Sequence, residues 1–346
     1  MERLSYSCPA RDGPKMTPWA RFISIPWMLY GVLAVCLAFV MYFSGVAAVL
    51  PGRLLGLDRY VLPVSEWLVW FSGMPLVAGC GLILFDLFVC LPKKRRKEDV
   101  RFDLLSDRKV TVALTAYNDE SSIAEAVKDF GNHPLVEQVI VVSNNSSDAT
   151  YERAQAAGAV TFNEPTQGYG QCVYRCLTEA VRLSASELIV LCEGDRTFRA
   201  FDLDKLLAYA PHADIVNGTR TVEALRQYST QLSTFMYYGN FFVGKLLESK
   251  HLGKSTVTDA GTTYKLCRKS ALKQLLPRLD RRINLEFNAY FLDSAMYAGF
   301  AIVECPITFH PRVGLSKGGN TDNKRALQVG IRMASGIIFG WGRSDS

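Results

Sequence analysis

The hydrophobic pattern changes character part-way along the chain. Phe22 to Leu50 is almost wholly apolar and uncharged, and Val64 to Leu91 carries only Glu66 near its start and Asp86 inside. Each stretch exceeds the roughly 20 residues that cross a bilayer as a helix. A cleavable signal peptide would be shorter and would not be followed by a second span. Beyond Val100, short apolar runs alternate with helical periodicity. Strands are predicted at Val110–Thr115, Gln138–Ser143, Ala159–Phe162, Glu187–Cys192 and Ala301–Phe309. Helices are predicted at Ser121–Phe130, Tyr151–Ala157 and Gln171–Leu183, with Ile123, Val127 and Phe130 on one face of the first. Gly158 suits the C-cap of the second. Strands alternating with helices argue for a parallel sheet covered on both faces.

These patterns divide the chain into an N-terminal segment (1–21), a two-helix hairpin (22–91), a basic linker (92–109), an α/β domain (110–319) and a C-terminal segment (320–346). In the last of these, Asn323 to Trp341 is too short to span and is interrupted by Arg332. It reads as an amphipathic helix lying on a membrane, with Trp341 at the interface. Tyr237 to Leu247, rich in Tyr and Phe, reads either as a second such helix or as a buried one. Together with the hairpin these would hold a site at bilayer level, within reach of a lipid headgroup.

Charge then sets an orientation. Arg3, Arg11, Lys15 and Arg21 precede the first apolar stretch and Lys93–Lys97 follow the second, while the connecting loop Pro51–Pro63 holds only Arg53 and Arg59 with Asp58. By the positive-inside rule both ends are cytoplasmic, and a bacterial inner membrane is the expected location. The same basic run could also attract anionic headgroups. The net charge of +6 is modest and largely local, so no nucleic-acid partner is expected. Nine cysteines, odd in number and irregularly spaced, do not form a disulfide framework. Asp86 is costly at membrane depth, so it should face the partner helix, another subunit or the interface. The hairpin also offers a surface for a homo-oligomer.

Candidate chemistry gathers at the predicted strand ends, where ligands of open α/β sheets sit. Three polar clusters fall there: "LTAYNDE", "SNNSSDAT" and "EGD". Glu193 and Asp195 are two apart, so on an extended segment both carboxylates face one ligand. Gly194 lets the backbone approach closely. Hard oxygen ligands suit Mg²⁺ or Mn²⁺, which bind alongside phosphates. An isolated E-G-D is an ordinary surface turn, and the convergence of three clusters is what points to a site. "SNNSSDAT" also suits helix capping, which is compatible with anion binding. Tyr117 could lie against a flat base. "QGYGQ" reads as a helix-entry turn or a phosphate cradle. Asp259 reads as a turn residue or an active-site acid. "HPRVGLSKGGN" reads as a solvated loop or as a phosphate clamp through Arg312 and Lys317.

In this order the motifs resemble the family 2 glycosyltransferases of the GT-A type, an α/β fold with a Rossmann-like, mostly parallel sheet. "LTAYNDE" resembles the family's first nucleotide-binding turn and "VVSNNSSDAT" its second strand-end motif. "EGD" stands where the D-x-D metal motif stands, and "VNGTR" matches a G-[ST]-R turn. "DAGTTYKLCRKSAL" followed by "VECPITFHPRVGLSK" resembles the dolichyl- and polyprenyl-phosphate sugar synthases. The resemblance runs from Val110 to Lys317 and rests on the order of five motifs. It departs from the pattern at Ser143, where an aspartate is frequent, and at Glu193, which replaces the first Asp of the metal motif. Many relatives also place their spans after the domain.

The resemblance implies an inverting, metal-dependent transferase. Asp195 and Glu193 would hold Mg²⁺ or Mn²⁺ on the diphosphate of a UDP- or GDP-linked sugar. Thr115, Tyr117, Glu120, Asn145, Asp148, Gly168 and Gly194 would surround that donor. Arg220 and Asp259 would be catalytic, and Arg312, Ser316 and Lys317 would grip an acceptor phosphate. A polyprenyl phosphate is already ionised and attacks unaided. A hydroxylated lipid such as a diacylglycerol or ceramide would need a general base, for which Asp259 is the candidate. The rival readings are a non-catalytic membrane scaffold that retains the fold and a processive polysaccharide synthase. The latter lacks additional spans and a Q-x-x-R-W signature.

Overall fold

The structure, a computed structural model, describes residues 18–94, 100–227, 230, 232–314 and 323–341. The chain divides into two units, Met1–Arg96 and Lys97–Ser346. In the first, α1 (Pro18–Ser24) leads into α2 (Trp27–Leu54) and α3 (Asp58–Lys94), and the latter two are long and apolar enough to cross a membrane. The connection is shorter than the sequence suggests, because Pro51 and Pro63 lie inside the helices. A proline costs one backbone hydrogen bond, which is tolerable within two turns of a helix end.

Small residues make the hairpin close. Gly31, Ala38, Gly45 and Gly52 recur seven apart along α2, and Ser65, Ser72, Gly79 and Asp86 recur seven apart along α3; all are buried. A seven-residue recurrence keeps one helix face on its partner, and small side chains let the backbones approach. A Cβ on Gly79 would lie 2.7 Å from the Gly31 carbonyl oxygen, and Ser65 Oγ donates to the Gly45 carbonyl at 2.6 Å. Phe39, Val40, Phe43, Trp70, Val77 and Phe88 point outward. Asp86 faces the partner helix: it is fully buried, accepts from Met28 N at 2.8 Å and pairs with Lys94 Nζ at 2.6 Å. Gly79→Leu is therefore expected to destabilise the hairpin by about 1–3 kcal/mol through overpacking. Gly81→Leu, whose side chain would meet open space, should cost nothing measurable. Detergent-titrated unfolding followed by tryptophan fluorescence checks both, and equal effects would refute the seam.

The second unit is built on a seven-stranded sheet of order β3-β2-β1-β4-β6-β5-β7. Its strands are β1 (Val110–Ala116), β2 (Val136–Ser143), β3 (Val160–Asn163), β4 (Leu188–Glu193), β5 (Ile215–Thr219), β6 (Lys265–Arg268) and β7 (Ile302–Pro306). Every β1 residue is buried, as the continuous apolar run of a strand covered on both faces requires. Its helices are α4 (Ile123–Gly131), α5 (Thr150–Ala156), α6 (Tyr169–Leu183), α7 (Leu203–Tyr209), α8 (Thr234–Lys250), α9 (Lys269–Leu275), α10 (Phe287–Tyr297) and α11 (Asn323–Phe339). The sheet is mixed and not wholly parallel, because β6 runs antiparallel to both β4 and β5. Neither β5 nor β6 is apparent from hydrophobicity. Each carries a fully buried polar residue, Asn217 and Lys265, that breaks the apolar run.

The C-terminal helix forms as expected, with a partner on the domain. The α11 face bearing Met333, Gly336 and Ile337 is buried against α8 and α10. Trp341 is held on the domain. Its indole donates to Asp293 Oδ2 at 2.5 Å and its ring lies 5.3 Å from that of Tyr290. Tyr237–Leu247 falls inside α8, which buries Val243, Leu246 and Leu247 and leaves Tyr238, Phe241 and Phe242 exposed.

Candidate active site

Three strands of the sheet end in the same kind of turn. Beyond the tips of β1, β2 and β4 stand Asn118 (φ 51°), Asn145 (φ 53°) and Arg196 (φ 66°), all in the left-handed region. Asparagine tolerates that conformation, whereas for Arg196 it costs about 1–3 kcal/mol, a strain typical of functional sites. The turns open on a cavity of about 640 Å³. Its polar end is formed by Asp119, Asn144, Glu193, Asp195, Arg220 and Arg312. The lining from α8 and α11 is largely apolar, with Phe235, Phe242, Leu327, Ile331 and Met333 beside Asn240 and Arg325.

The carboxylates at the polar end are held in distinct ways. Asp195 is 2% exposed, and its Oδ1 accepts from Thr197 N at 3.0 Å and Thr197 Oγ1 at 2.6 Å. Its Oδ2 makes no hydrogen bond, although Arg312 Nη1 stands 3.0 Å away. Burial, then the nearby Glu193 charge, pushes the Asp195 carboxyl well above its usual range, with Arg312 opposing. Glu193 Oε1 accepts from Thr263 Oγ1 at 2.6 Å. Asp119 takes Arg312 Nη2 on Oδ1 at 2.6 Å and Tyr117 N on Oδ2 at 3.0 Å. Burial raises its carboxyl too, again against Arg312.

Two carboxylates beside an arginine can seat a cation. An orphaned buried oxygen on Asp195, countered only by a guanidinium, fits a divalent ion. Among the described residues, no group of three or more Asp, Glu, His or Cys could enclose one. Such a seat suits an ion that takes its remaining ligands from a diphosphate and water.

Arg220 and Asp259 form a separate buried pair. Arg220 Nε and Nη2 reach Asp259 Oδ2 and Oδ1 at 2.7 and 2.8 Å, and Gly261 N donates to Oδ1 at 3.1 Å. Burial alone would raise the Asp259 carboxyl, but Arg220 holds it below its usual range.

Residues 111–276 match the sequence profile of glycosyl transferase family 2, which takes in the first six strands and both carboxylates of the E-G-D turn. The chain carries a family 2 glycosyltransferase domain. An uncharacterized glycosyltransferase of Mycobacterium tuberculosis is 29% identical over 206 residues, which is 59% of this chain and 87% of that protein. A dolichyl-phosphate hexose transferase of Haloferax volcanii is 25% identical over 226 residues, 64% of this chain and 93% of that one. Among solved structures, a mycobacterial protein superposes with a TM-score of 0.50 at 15% identity, covering 68% of this chain and 76% of that one. With the mixed sheet and the family match, the fold is GT-A.

Within this domain the sequence-derived residues separate into two groups. Thr115, Tyr117, Gly168, Glu193, Asp195, Arg220 and Arg312 line the cavity. Glu120, Asn145 and Asp148 do not: they build the turns themselves. Glu120 accepts from Ala149 N at 3.3 Å, Asp148 accepts from Thr150 N at 3.1 Å, and Asn145 is exposed. The cavity side of each turn is taken instead by Asp119 and Asn144, one residue earlier, with Asn144 Oδ1 accepting from Gly168 N at 2.8 Å. Gly194 sits where a Cβ would lie 2.4 Å from Ile123 Cδ1, so it serves close packing on α4. Asp259 lies behind Arg220, off the cavity wall. Ser316 and Lys317 lie outside the described residues. Tyr169 and Asn288 also line the cavity and were not singled out by the sequence.

Proposed function

We propose that the protein is a membrane-bound inverting glycosyltransferase that moves a sugar from a nucleotide-sugar donor to a polyprenyl phosphate on the cytoplasmic face. The observation that carries this reading is one cavity lined both by charged strand tips and by a largely apolar helix wall. Charged strand tips suit a diphosphate donor, and the apolar wall of α8 and α11 suits a hydrocarbon chain. Two apolar helices in the same chain and a relative named a dolichyl-phosphate hexose transferase support a lipid acceptor.

Glu193 and Asp195 would hold Mg²⁺ or Mn²⁺. When bound, the ion would neutralise charge developing on the departing nucleoside diphosphate. Arg312, between Asp119 and Asp195, would add positive charge beside that leaving group. The state of Asp259 favours a phosphate acceptor over a hydroxylated lipid. Both its oxygens are occupied and its carboxyl is held low, which makes it a poor base near neutrality. A phosphate oxygen attacks the anomeric carbon without losing a proton.

The test is incubation of the purified protein with a panel of UDP- and GDP-sugars and undecaprenyl or dolichyl phosphate, with and without Mg²⁺ or Mn²⁺. The expected result is a glycosylated lipid phosphate detected by mass. Transfer only to diacylglycerol or ceramide would refute the acceptor class, and no transfer to any lipid would favour a scaffold. Ile331→Asp, on that helix wall, is expected to raise the KM for the lipid about tenfold and leave that for the nucleotide sugar unchanged. Equal changes in both constants would refute the division of the cavity.

A further inference from the structure

Four side chains beside the cavity, for which the reaction as proposed has no use, form one chain of hydrogen bonds that ends on Glu193. Asn288, on α10, donates its amide to Tyr169 Oη at 2.9 Å, Thr263 Oγ1 at 3.2 Å and the Gly261 carbonyl at 3.1 Å. Tyr169 Oη and Thr263 Oγ1 are 2.5 Å apart. Thr263 Oγ1 in turn donates to Glu193 Oε1 at 2.6 Å. On the far side, Lys265 Nζ donates to Asn288 Oδ1 at 3.3 Å and to the Thr262 carbonyl. Thr263, Lys265 and Asn288 are 1%, 0% and 5% exposed.

The ends of this chain dictate its polarity. A carboxylate only accepts, so the single hydroxyl hydrogen of Thr263 goes to Glu193. The Thr263 oxygen then accepts from Tyr169, whose one hydrogen is thereby committed. The Tyr169 oxygen accepts from the Asn288 amide. The Asn288 amide is oriented at both ends: the Gly261 carbonyl can only accept from its nitrogen, and the Lys265 amine donates to its oxygen. Along the chain each hydroxyl hydrogen therefore points toward Glu193. Burial lowers Lys265 to about 7, and its amine is the donor at the root of the chain.

We propose that Lys265, Asn288, Tyr169 and Thr263 are positioning residues that hold Glu193 in its cation-binding orientation. Glu193 and Asp195 repel each other at the tip of β4. Without a fixed donor on Oε1, the Glu193 side chain would rotate away and leave Asp195 to hold the ion alone. The chain occupies one oxygen of Glu193 and leaves the other for the metal. Hydrogen bonds of this kind behind a metal ligand typically govern affinity by 10–100-fold. The inference rests on the reading of Glu193 and Asp195 as cation ligands.

Mn²⁺ binding to the full-length, detergent-solubilised protein, read as loss of the free-ion EPR signal with saturating UDP or GDP, separates the two. Asp195→Asn is expected to abolish binding. Thr263→Val is expected to weaken it about tenfold or more, and Thr263→Ser to restore it to within about twofold of wild type. Tyr169→Phe, which removes one oxygen and keeps the ring, is expected to weaken binding by a smaller factor with an unchanged melting temperature, and it decides the matter if Thr263→Val does not fold. Wild-type affinity in both Thr263→Val and Tyr169→Phe, alongside loss in Asp195→Asn, would overturn this inference alone. Wild-type affinity in Asp195→Asn would overturn the cation reading and this inference with it.

Discussion

Asp195→Asn is expected to lower kcat/KM for glycosyl transfer on the order of 10²–10³-fold and leave the fold intact. The substitution keeps the shape of the side chain and one acceptor for Thr197 N and Oγ1. It removes the charge on the oxygen that has no hydrogen bond in the structure. Arg312 keeps Asp119 at 2.6 Å, so no buried cation is stranded. Repulsion with Glu193, one of the causes of the raised Asp195 carboxyl, is relieved. The melting temperature should therefore hold or rise slightly while turnover collapses. Mass detection of the product lipid against a thermal melt checks both. Retained turnover with Mg²⁺ present would remove Asp195 from the reaction and with it the metal-assisted mechanism.

What the sequence conveys depends on which physical term sets each feature. The central parallel strands were legible because burial on both faces forces continuous apolar runs, as in Leu188–Cys192. β5 and β6 were not, since Asn217 and Lys265 are buried by tertiary hydrogen bonds that no local pattern announces. Asn217 Nδ2 reaches the Asp259 carbonyl at 3.0 Å, and Lys265 reaches Asn288. At the turns the sequence located the right clusters but displaced two residues by one position. Glu120 and Asn145 resemble ligands as much as Asp119 and Asn144 do. Only the left-handed residues at 118 and 145 decide which side chain faces inward. The seven-residue recurrence of Gly31, Ala38, Gly45 and Gly52 was present in the sequence as a signal of close helix packing, although length and hydropathy alone do not reveal it.

Asp259→Ala is expected to destabilise the domain by about 3–5 kcal/mol, the usual cost of stranding one member of a buried ion pair. Arg220 is 7% exposed and would lose both of its charge-assisted hydrogen bonds along with the partner of its backbone N–H. Asp259→Asn should fall between this and wild type. The pH dependence has a definite sign. Asp259 is held below its usual carboxylate range in the folded state, so its contribution is complete at neutral pH and is lost as pH falls below about 4. The asparagine variant should lose that part of the acid slope in melting temperature. Turnover should fall in parallel with stability, because Asp259 fixes Arg220 at the cavity wall and does not accept a proton from the acceptor. The pH profile of kcat/KM should accordingly lack a limb from Asp259 above pH 5. If Asp259→Asn instead kept the wild-type melting curve while abolishing turnover, Asp259 would be a general base, and a hydroxylated lipid would replace the phosphate as the acceptor.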